Sequence, residues 1–319
     1  MSLYSRVIGT GSFLPETVLT NKDIEDIIDT SDEWIRSRTG IHKRHVVTEG
    51  ESCSQLAEIA SQRAIEAAEI EPSEIDLILV ATTTPDQIFP STACLLQQRL
   101  NIRGCGAFDI QAVCAGFVYA LGVADQFVRT GSAKRVLVVG AETMSRLLDW
   151  QDRATAVLFG DGAGALVLEA SPQPGIIGSH LHADGSYADL LQVPGGIGGN
   201  RNEDHYLEMK GTEVFKMSIT TMCRIANEIL TANGMKKSDI DWLVPHQANM
   251  RIIQAMARKL DLPMDRVVVT VDAHANTSAA SIPLAFDTAV RDGRILRGQT
   301  LLMEGFGGGF TWGSVLLEY

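Results

Sequence analysis

The chain is poor in cysteine, has no long apolar run and is short of positive charge. Its five cysteines, Cys53, Cys94, Cys105, Cys114 and Cys223, are odd in number and irregularly spaced. That excludes the paired framework on which small secreted proteins depend. The longest uncharged apolar stretch, Ile110 to Ala124, has 15 residues and is interrupted by Gln111, Gly116 and Gly122. A membrane-spanning helix needs about 20, so no membrane segment is expected, and the stretch reads as a buried helix. The first residues lack a basic segment followed by an apolar core, and Gly9, Gly11 and Pro15 break what apolar character they have. A cytoplasmic protein without an export signal is therefore expected. Lys and Arg total 27 against 39 Asp and Glu, a formal charge of −12. So acidic a chain is a poor general binder of nucleic acid.

What is present is the composition of an ordinary folded protein. With 45% hydrophobic and 21% charged residues over 319 positions, disorder and collagen-like repeats are excluded. At about 100–200 residues per domain, that length fits two domains or one duplicated unit. Short β-branched runs alternate with helical patterns. Asp76–Ala81, Arg135–Gly140, Asp161–Glu169, Arg266–Val271 and Thr300–Met303 read as strands. Ser54–Glu69, Ala115–Thr130, Met217–Asn233, Ala248–Leu260 and Ala280–Asp292 read as helices. Apolar strands alternating with helices predict an α/β sheet covered on both faces.

The order of elements repeats. Asp76-Leu-Ile-Leu-Val80 is similar to Asp241-Trp-Leu-Val244, and Ala107–Ile110 to Val267–Thr270. Val136–Gly140 then matches Thr300–Met303, and Gly160–Glu169 matches Gly307–Glu318. A duplicated domain is predicted, divided at the breaker-rich Ser171-Pro-Gln-Pro-Gly175 into residues 1–171 and 172–319.

Candidate chemistry collects where strands end and helices begin. Cys114, in Gln111-Ala-Val-Cys-Ala-Gly-Phe117, is expected to open a buried helix. The helix dipole and unpaired N–H groups there favour a thiolate. A small buried core residue is the competing reading. His246, in Val244-Pro-His-Gln-Ala-Asn249, lies where ligand-binding groups gather in α/β sheets, or simply packs at a helix start. Asn276 is an ordinary helix cap by type, yet the repeat makes it the counterpart of Cys114, and His274 is a nearby competitor. Gly305-Phe-Gly-Gly-Gly309 could expose N–H donors as an oxyanion hole or merely turn between strands. Gly195-Gly-Ile-Gly-Gly199 reads as a surface loop.

Trp34 and Arg38, four apart on one helix face, suit a base and a phosphate, or an amphipathic helix burying its Trp. Arg251, Arg258 and Lys259 form a basic stripe after His246, with Lys210, Lys216, Lys236 and Lys237 near in sequence. On an acidic protein such a stripe points to an acidic partner. No metal site is expected: His42-Lys-Arg-His45 and His180-Leu-His182 lack a Cys or carboxylate set at zinc-site spacing.

The order Cys, His, Asn also fits papain-like proteases, but their cysteine signature, export signal and disulfides are missing. The chain closely resembles instead the β-ketoacyl-acyl-carrier-protein synthase III family over nearly its whole length. The resemblance rests on Thr30-Ser-Asp-Glu-Trp-Ile-Arg-Ser-Arg-Thr-Gly40, Ala81-Thr-Thr-Thr-Pro-Asp86, Phe89-Pro-Ser-Thr-Ala93, Cys114-Ala-Gly-Phe117 and Phe159-Gly-Asp-Gly-Ala-Gly164. It continues through Pro245-His-Gln-Ala-Asn249, Asn276-Thr-Ser-Ala-Ala-Ser-Ile-Pro283 and Gly305-Phe-Gly-Gly-Gly-Phe-Thr-Trp-Gly313.

The resemblance implies a thiolase-like fold, a duplicated five-layered α/β/α/β/α arrangement, assembled as a homodimer. It implies a chain-initiating acyltransferase of fatty acid biosynthesis that condenses a short acyl-CoA, such as acetyl-CoA, with malonyl-acyl carrier protein. No cofactor is implied, CoA thioester being a substrate. By the same resemblance Cys114 is the acyl-accepting nucleophile, and His246 and Asn276 support malonyl decarboxylation. Gly308 belongs to the oxyanion hole and Phe306 stands beside the malonyl carboxylate. Trp34, Arg38 and Arg153 bind CoA, and Lys216, Arg251, Arg258 and Lys259 receive the carrier protein. Phe89 reaches the partner's acyl pocket. Val113 and Ala275 depart from the family's frequent Ala and Gly. Two alternatives remain: a related condensing enzyme of secondary metabolism and a non-catalytic carrier-binding protein.

Overall fold

Two sheets with the same plan form the body of the protein. The computed structural model describes residues 3–196 and 205–319, so residues 197–199 of the expected glycine loop lie outside the described residues. The first sheet is built from β1 (Tyr4–Phe13), β2 (Leu77–Ala81), β3 (Gly106–Ile110), β4 (Arg135–Thr143) and β5 (Asp161–Ser171), in the order β1-β5-β4-β2-β3. The second contains β6 (Ile176–Ala183), β7 (Trp242–Pro245), β8 (Thr300–Gly307) and β9 (Thr311–Glu318), in the order β7-β8-β9-β6. In both, the edge strand nearest the N-terminus runs antiparallel to the last strand, which runs antiparallel to the next; the strands beyond are parallel. The four strands of the second sheet repeat β1, β5, β4 and β2 of the first; where a counterpart of β3 would lie, the described residues show only a single bridge from Leu243 to Val267.

Seven longer helices matter for the site: α1 (Asp32–Thr39), α2 (Cys53–Ala67), α3 (Thr92–Arg99), α4 (Gly116–Arg129), α5 (Gly211–Ala232), α6 (Met250–Lys259) and α7 (Ser281–Arg291). Residues of α4 and α7 pack with the inner faces of both sheets in one core that includes Leu79, Val138, Leu121, Phe286, Met303 and Val315. The outer face of the first sheet packs with α2 and α3 through Leu56, Ile65 and Leu96. That of the second packs with α5 and α6 through Met222, Ile229 and Met256. The layers therefore run α/β/α/β/α. Alternation explains the split: on β8, Leu301 and Met303 face inward while Leu302 and Phe306 face outward. Close contact of the central helices needs small side chains. A β-carbon on Gly116 would sit 3.2 Å from Ala81 Cβ and 3.4 Å from Ala279 Cβ.

Three expectations are corrected. The stretch 110–124 is not one helix: Ile110 ends β3, a tight turn spans Val113–Ala115, and α4 begins at Gly116. Helix α5 starts at Gly211, six residues before the expected Met217. Arg266–Val271 is not a strand; Val267 makes a single bridge to Leu243. The backbone there is claimed by a side chain. Gln247 Oε1 accepts from Thr270 N (2.9 Å) and Val271 N (3.1 Å), and its Nε2 donates to Val268 O (3.1 Å).

Candidate active site

Cys114 and Asn276 come from the two turns that precede the central helices, but they are not counterparts. Val113 and Ser278, both at φ 47°, open the tight turns Val113–Ala115 and Ser278–Ala280 that lead straight into α4 and α7, so the residue equivalent to Cys114 is Ala279 and the expected equivalence is corrected. Asn276 lies two residues before Ser278, after Ala275 at φ 60°. For a β-branched side chain such a φ is a strained outlier, the kind of turn that presents a nucleophile. The Val113 turn is held from two sides. Ala115 N–H donates to Ala112 O at 3.0 Å, and Thr311 Oγ1 donates to the same carbonyl at 2.8 Å. The glycines of the β8–β9 hairpin make room for it: a β-carbon on Gly307 would lie 2.6 Å from Cys114 N. One on Gly308 would meet Leu191 O at 2.7 Å.

Cys114, His246, Asn276 and Phe306 line one cavity of about 110 Å³, walled by apolar residues of α5 and α6. His246 extends from β7, its N–H donating to Glu304 O at 2.8 Å. Its Nδ1 is enclosed without a partner among the described residues. Burial pushes the imidazole down to about 3, so it is neutral near pH 7. Asn276 is pinned at both backbone groups: its N–H donates to Leu158 O at 2.9 Å, and its carbonyl accepts from Gly160 N at 3.0 Å. Its Oδ1 accepts from Ser278 N at 2.9 Å. That bond fixes the amide orientation and leaves the NH₂ as the free end.

The thiolate expectation at Cys114 is overturned. Burial pushes the thiol up to about 12; the nearby Ser278 hydroxyl lowers it, and Glu142 raises it further. Burial outweighs the Ser278 hydroxyl, and no cation among the described residues contributes to the shift. Glu142 itself is fully buried and raised by desolvation. It is held by Thr83 N (3.0 Å), Thr83 Oγ1 (3.0 Å) and Thr84 Oγ1 (2.7 Å). The Thr82-Thr-Thr84 run thus forms a layer behind the cysteine, which the sequence signalled only as a motif. On β8, Glu304 is buried with both carboxyl oxygens unpartnered among the described residues, and burial raises it well above the usual range.

The other expected residues, Gly308 included, are not part of this cavity's lining. Ser31 caps α1, accepting from Trp34 N at 3.1 Å, and Arg153 places its guanidinium 4.8 Å from the Trp34 ring centroid. Arg38 is exposed one turn further on. Arg251 stacks 5.2 Å over Phe215, a residue of the cavity wall. Lys216, Arg258 and Lys259 are exposed on α5 and α6. Phe89 does not reach this cavity; it is 82% exposed on a loop. His274 also lies outside it, edge-on to His45 at 6.5 Å. His180 and His182, which have no carboxylate near them in sequence, are met in the fold by Glu228.

The two halves of a doubled α/β fold thus send a cysteine and an asparagine to one cavity. Comparison with known proteins gives the family. Residues 108–185 match the model of 3-oxoacyl-[acyl-carrier-protein (ACP)] synthase III, and residues 230–319 match its C-terminal model. Beta-ketoacyl-[acyl-carrier-protein] synthase III of Alkalilimnicola ehrlichii is 64% identical, covering 99% of each chain. The crystal structure of 3-oxoacyl-[acyl-carrier-protein] synthase III from Aquifex aeolicus is 47% identical with a TM-score of 0.94, covering 99% of this chain and 100% of that one. The priming beta-ketosynthase of the R1128 polyketide pathway also gives 0.94, at 36% identity over 99% of this chain and 97% of that one. The chain belongs to the β-ketoacyl-acyl-carrier-protein synthase III family and is an acyltransferase.

Proposed function

We propose that the chain performs the initiating condensation of fatty acid synthesis, joining a short acyl-CoA to malonyl-acyl carrier protein through an acyl-Cys114 intermediate. The observation that carries this reading is the convergence of Cys114, His246 and Asn276 on one cavity. Identity of 64% to a fatty acid enzyme, against 36% to a polyketide one, favours primary metabolism over the related pathway. An intact set of reacting groups speaks against a non-catalytic carrier-binding protein.

Cys114 Sγ attacks the thioester carbonyl of acetyl-CoA. The N–H groups of Cys114 and Gly308 stabilise the tetrahedral oxyanion, a donor of this kind contributing about 2.7–4 kcal/mol. The C–S bond to CoA breaks, and the thiol proton ends on the departing sulfur. Malonyl-carrier then enters. Its carboxylate leaves as CO₂, and the electron pair moves onto the thioester oxygen as an enolate. His246 Nε2–H and the Asn276 amide donate to that oxygen, while Phe306 keeps water from the carboxylate. The carbanion attacks the acetyl carbonyl on Cys114, the C–S bond breaks to give the 3-oxoacyl carrier, and the released thiolate takes one proton from solvent to restore the thiol. CoA is held at the mouth by Trp34, Arg38 and Arg153. The carrier docks on Arg251 with Lys216, Arg258 and Lys259. Phe89 on its exposed loop fills a partner subunit's acyl pocket in a homodimer and limits the primer to short acyl groups. We place the boundary between the two copies at residues 171 and 172.

The protonation states give a pH prediction. Iodoacetamide trapping of Cys114 should rise about tenfold per pH unit from pH 7 to pH 10, since the thiolate fraction keeps growing below a value of about 12. Decarboxylation should stay level from pH 5 to pH 8, because His246 at about 3 is neutral throughout. An alkylation plateau below pH 9, or an acid limb near pH 6.5, would contradict these states. Arg251→Glu should raise KM for malonyl-carrier by about tenfold while leaving acetyl transfer from acetyl-CoA unchanged. Equal loss in both reactions would remove the stripe from the carrier site.

A further inference from the structure

We propose that His180, His182 and Glu228 form a site for one zinc-class divalent ion on the outer face of the second sheet. His180 and His182 are two apart on the edge strand β6, so both rings project from the same face. Helix α5 crosses that face and brings Glu228 between them. His180 Nδ1 lies 2.6 Å and His182 Nε2 2.9 Å from the same carboxylate oxygen, Oε1. One nitrogen from each ring and a carboxylate oxygen lie within 4.8 Å of one another. In a tetrahedral site with bonds of about 2.0–2.1 Å, ligand atoms stand about 3.4 Å apart. Small side-chain rotations suffice to admit an ion.

The chemistry selects the metal. Two imidazoles and one carboxylate, with a fourth position open to water, suit Zn²⁺ better than Mg²⁺ or Ca²⁺, which take oxygen ligands. All three groups are half-buried. The frame is fixed. The His182 ring stacks on Trp312 at 5.8 Å and 21°, and its carbonyl accepts from Tyr119 Oη at 2.6 Å. His180 and His182 are paired in register with Ser314 and Trp312 of β9. The ion would tie β6 to α5, whose Phe215, Ser218 and Met222 wall the reaction cavity. None of the three groups lines that cavity, so the direct effect of the ion is on the stability of the β6–α5 contact. The competing arrangement is an ion-free cluster in which both rings donate N–H to Glu228.

Titration of the full chain with Zn²⁺, and separately with Co²⁺, decides between them. The expected result is one ion per chain, a thermal transition that rises with free Zn²⁺, and Co²⁺ absorption of a nitrogen–oxygen site without a thiolate charge-transfer band. Glu228→Gln and His180→Asn should each weaken binding by about tenfold or more, the loss that even an outer-layer partner causes. No uptake at millimolar metal, a thiolate band, or unchanged affinity in both folded variants would overturn the proposal. Should either variant fail to fold, the spectrum of the unaltered chain still decides.

Discussion

Cys114→Ala is expected to abolish 3-oxoacyl product, by about 10⁴-fold or more, while malonyl-carrier still loses CO₂. The magnitude is that of removing a covalent nucleophile. The split follows from geometry. Cys114 sits on the α4 side of the cavity, whereas His246 comes from β7 and Asn276 from the turn before α7. Deleting one sulfur leaves the Asn276 amide pinned by Ser278 N and both of its backbone bonds in place. The enolate donors therefore survive, and the carbanion, lacking an acyl acceptor, takes a proton. Following CO₂ and 3-oxoacyl-carrier side by side checks this. Condensation within tenfold of the unaltered enzyme, or equal loss of both products, would contradict the division of labour.

The reverse split is expected for the donors. His246→Ala and Asn276→Ala should each slow decarboxylation by about 10²–10³-fold, the cost of one oxyanion donor, yet leave acetyl transfer to Cys114 within about tenfold. Both donate to one developing charge, so the double variant should lose less than the product of the single losses. His246→Gln, which keeps an N–H donor of similar reach, should recover part of the rate. This distinguishes hydrogen-bond donation from acid–base chemistry, which a neutral ring held near 3 is poorly suited to perform. Single-turnover acylation measured apart from CO₂ release separates the steps. Loss of acylation equal to loss of decarboxylation would sink the assignment.

Much of this was legible in the sequence because it depends on local order. Cys114 and His246 each lie where a strand gives way to a helix. The repeated element order brought Asn276 to notice as the counterpart of Cys114, but the residue that repeats the Cys114 turn is Ala279: Val113 and Ser278, both at φ 47°, open the matching turns before α4 and α7, and Asn276 follows the short helix Val271–His274. What was not legible depends on partners distant in the chain. Arg266–Val271 has the side chains of a strand, but Gln247 takes the hydrogen bonds a neighbouring strand would need. The helix start suggested an ionised Cys114, but dry walls and Glu142 reverse that balance. Spacing within the chain left His180 and His182 without a carboxylate, whereas Glu228 reaches them from a helix 46 residues beyond His182.

The central claim is that Cys114 carries the acyl group between the two half-reactions. Intact-protein mass spectrometry after incubation with acetyl-CoA alone, followed by peptide mapping, tests it most directly. One acetyl group on Cys114, discharged when malonyl-carrier is added, is the predicted result. An acetyl group on another residue, or condensation without any acyl-enzyme, would contradict it.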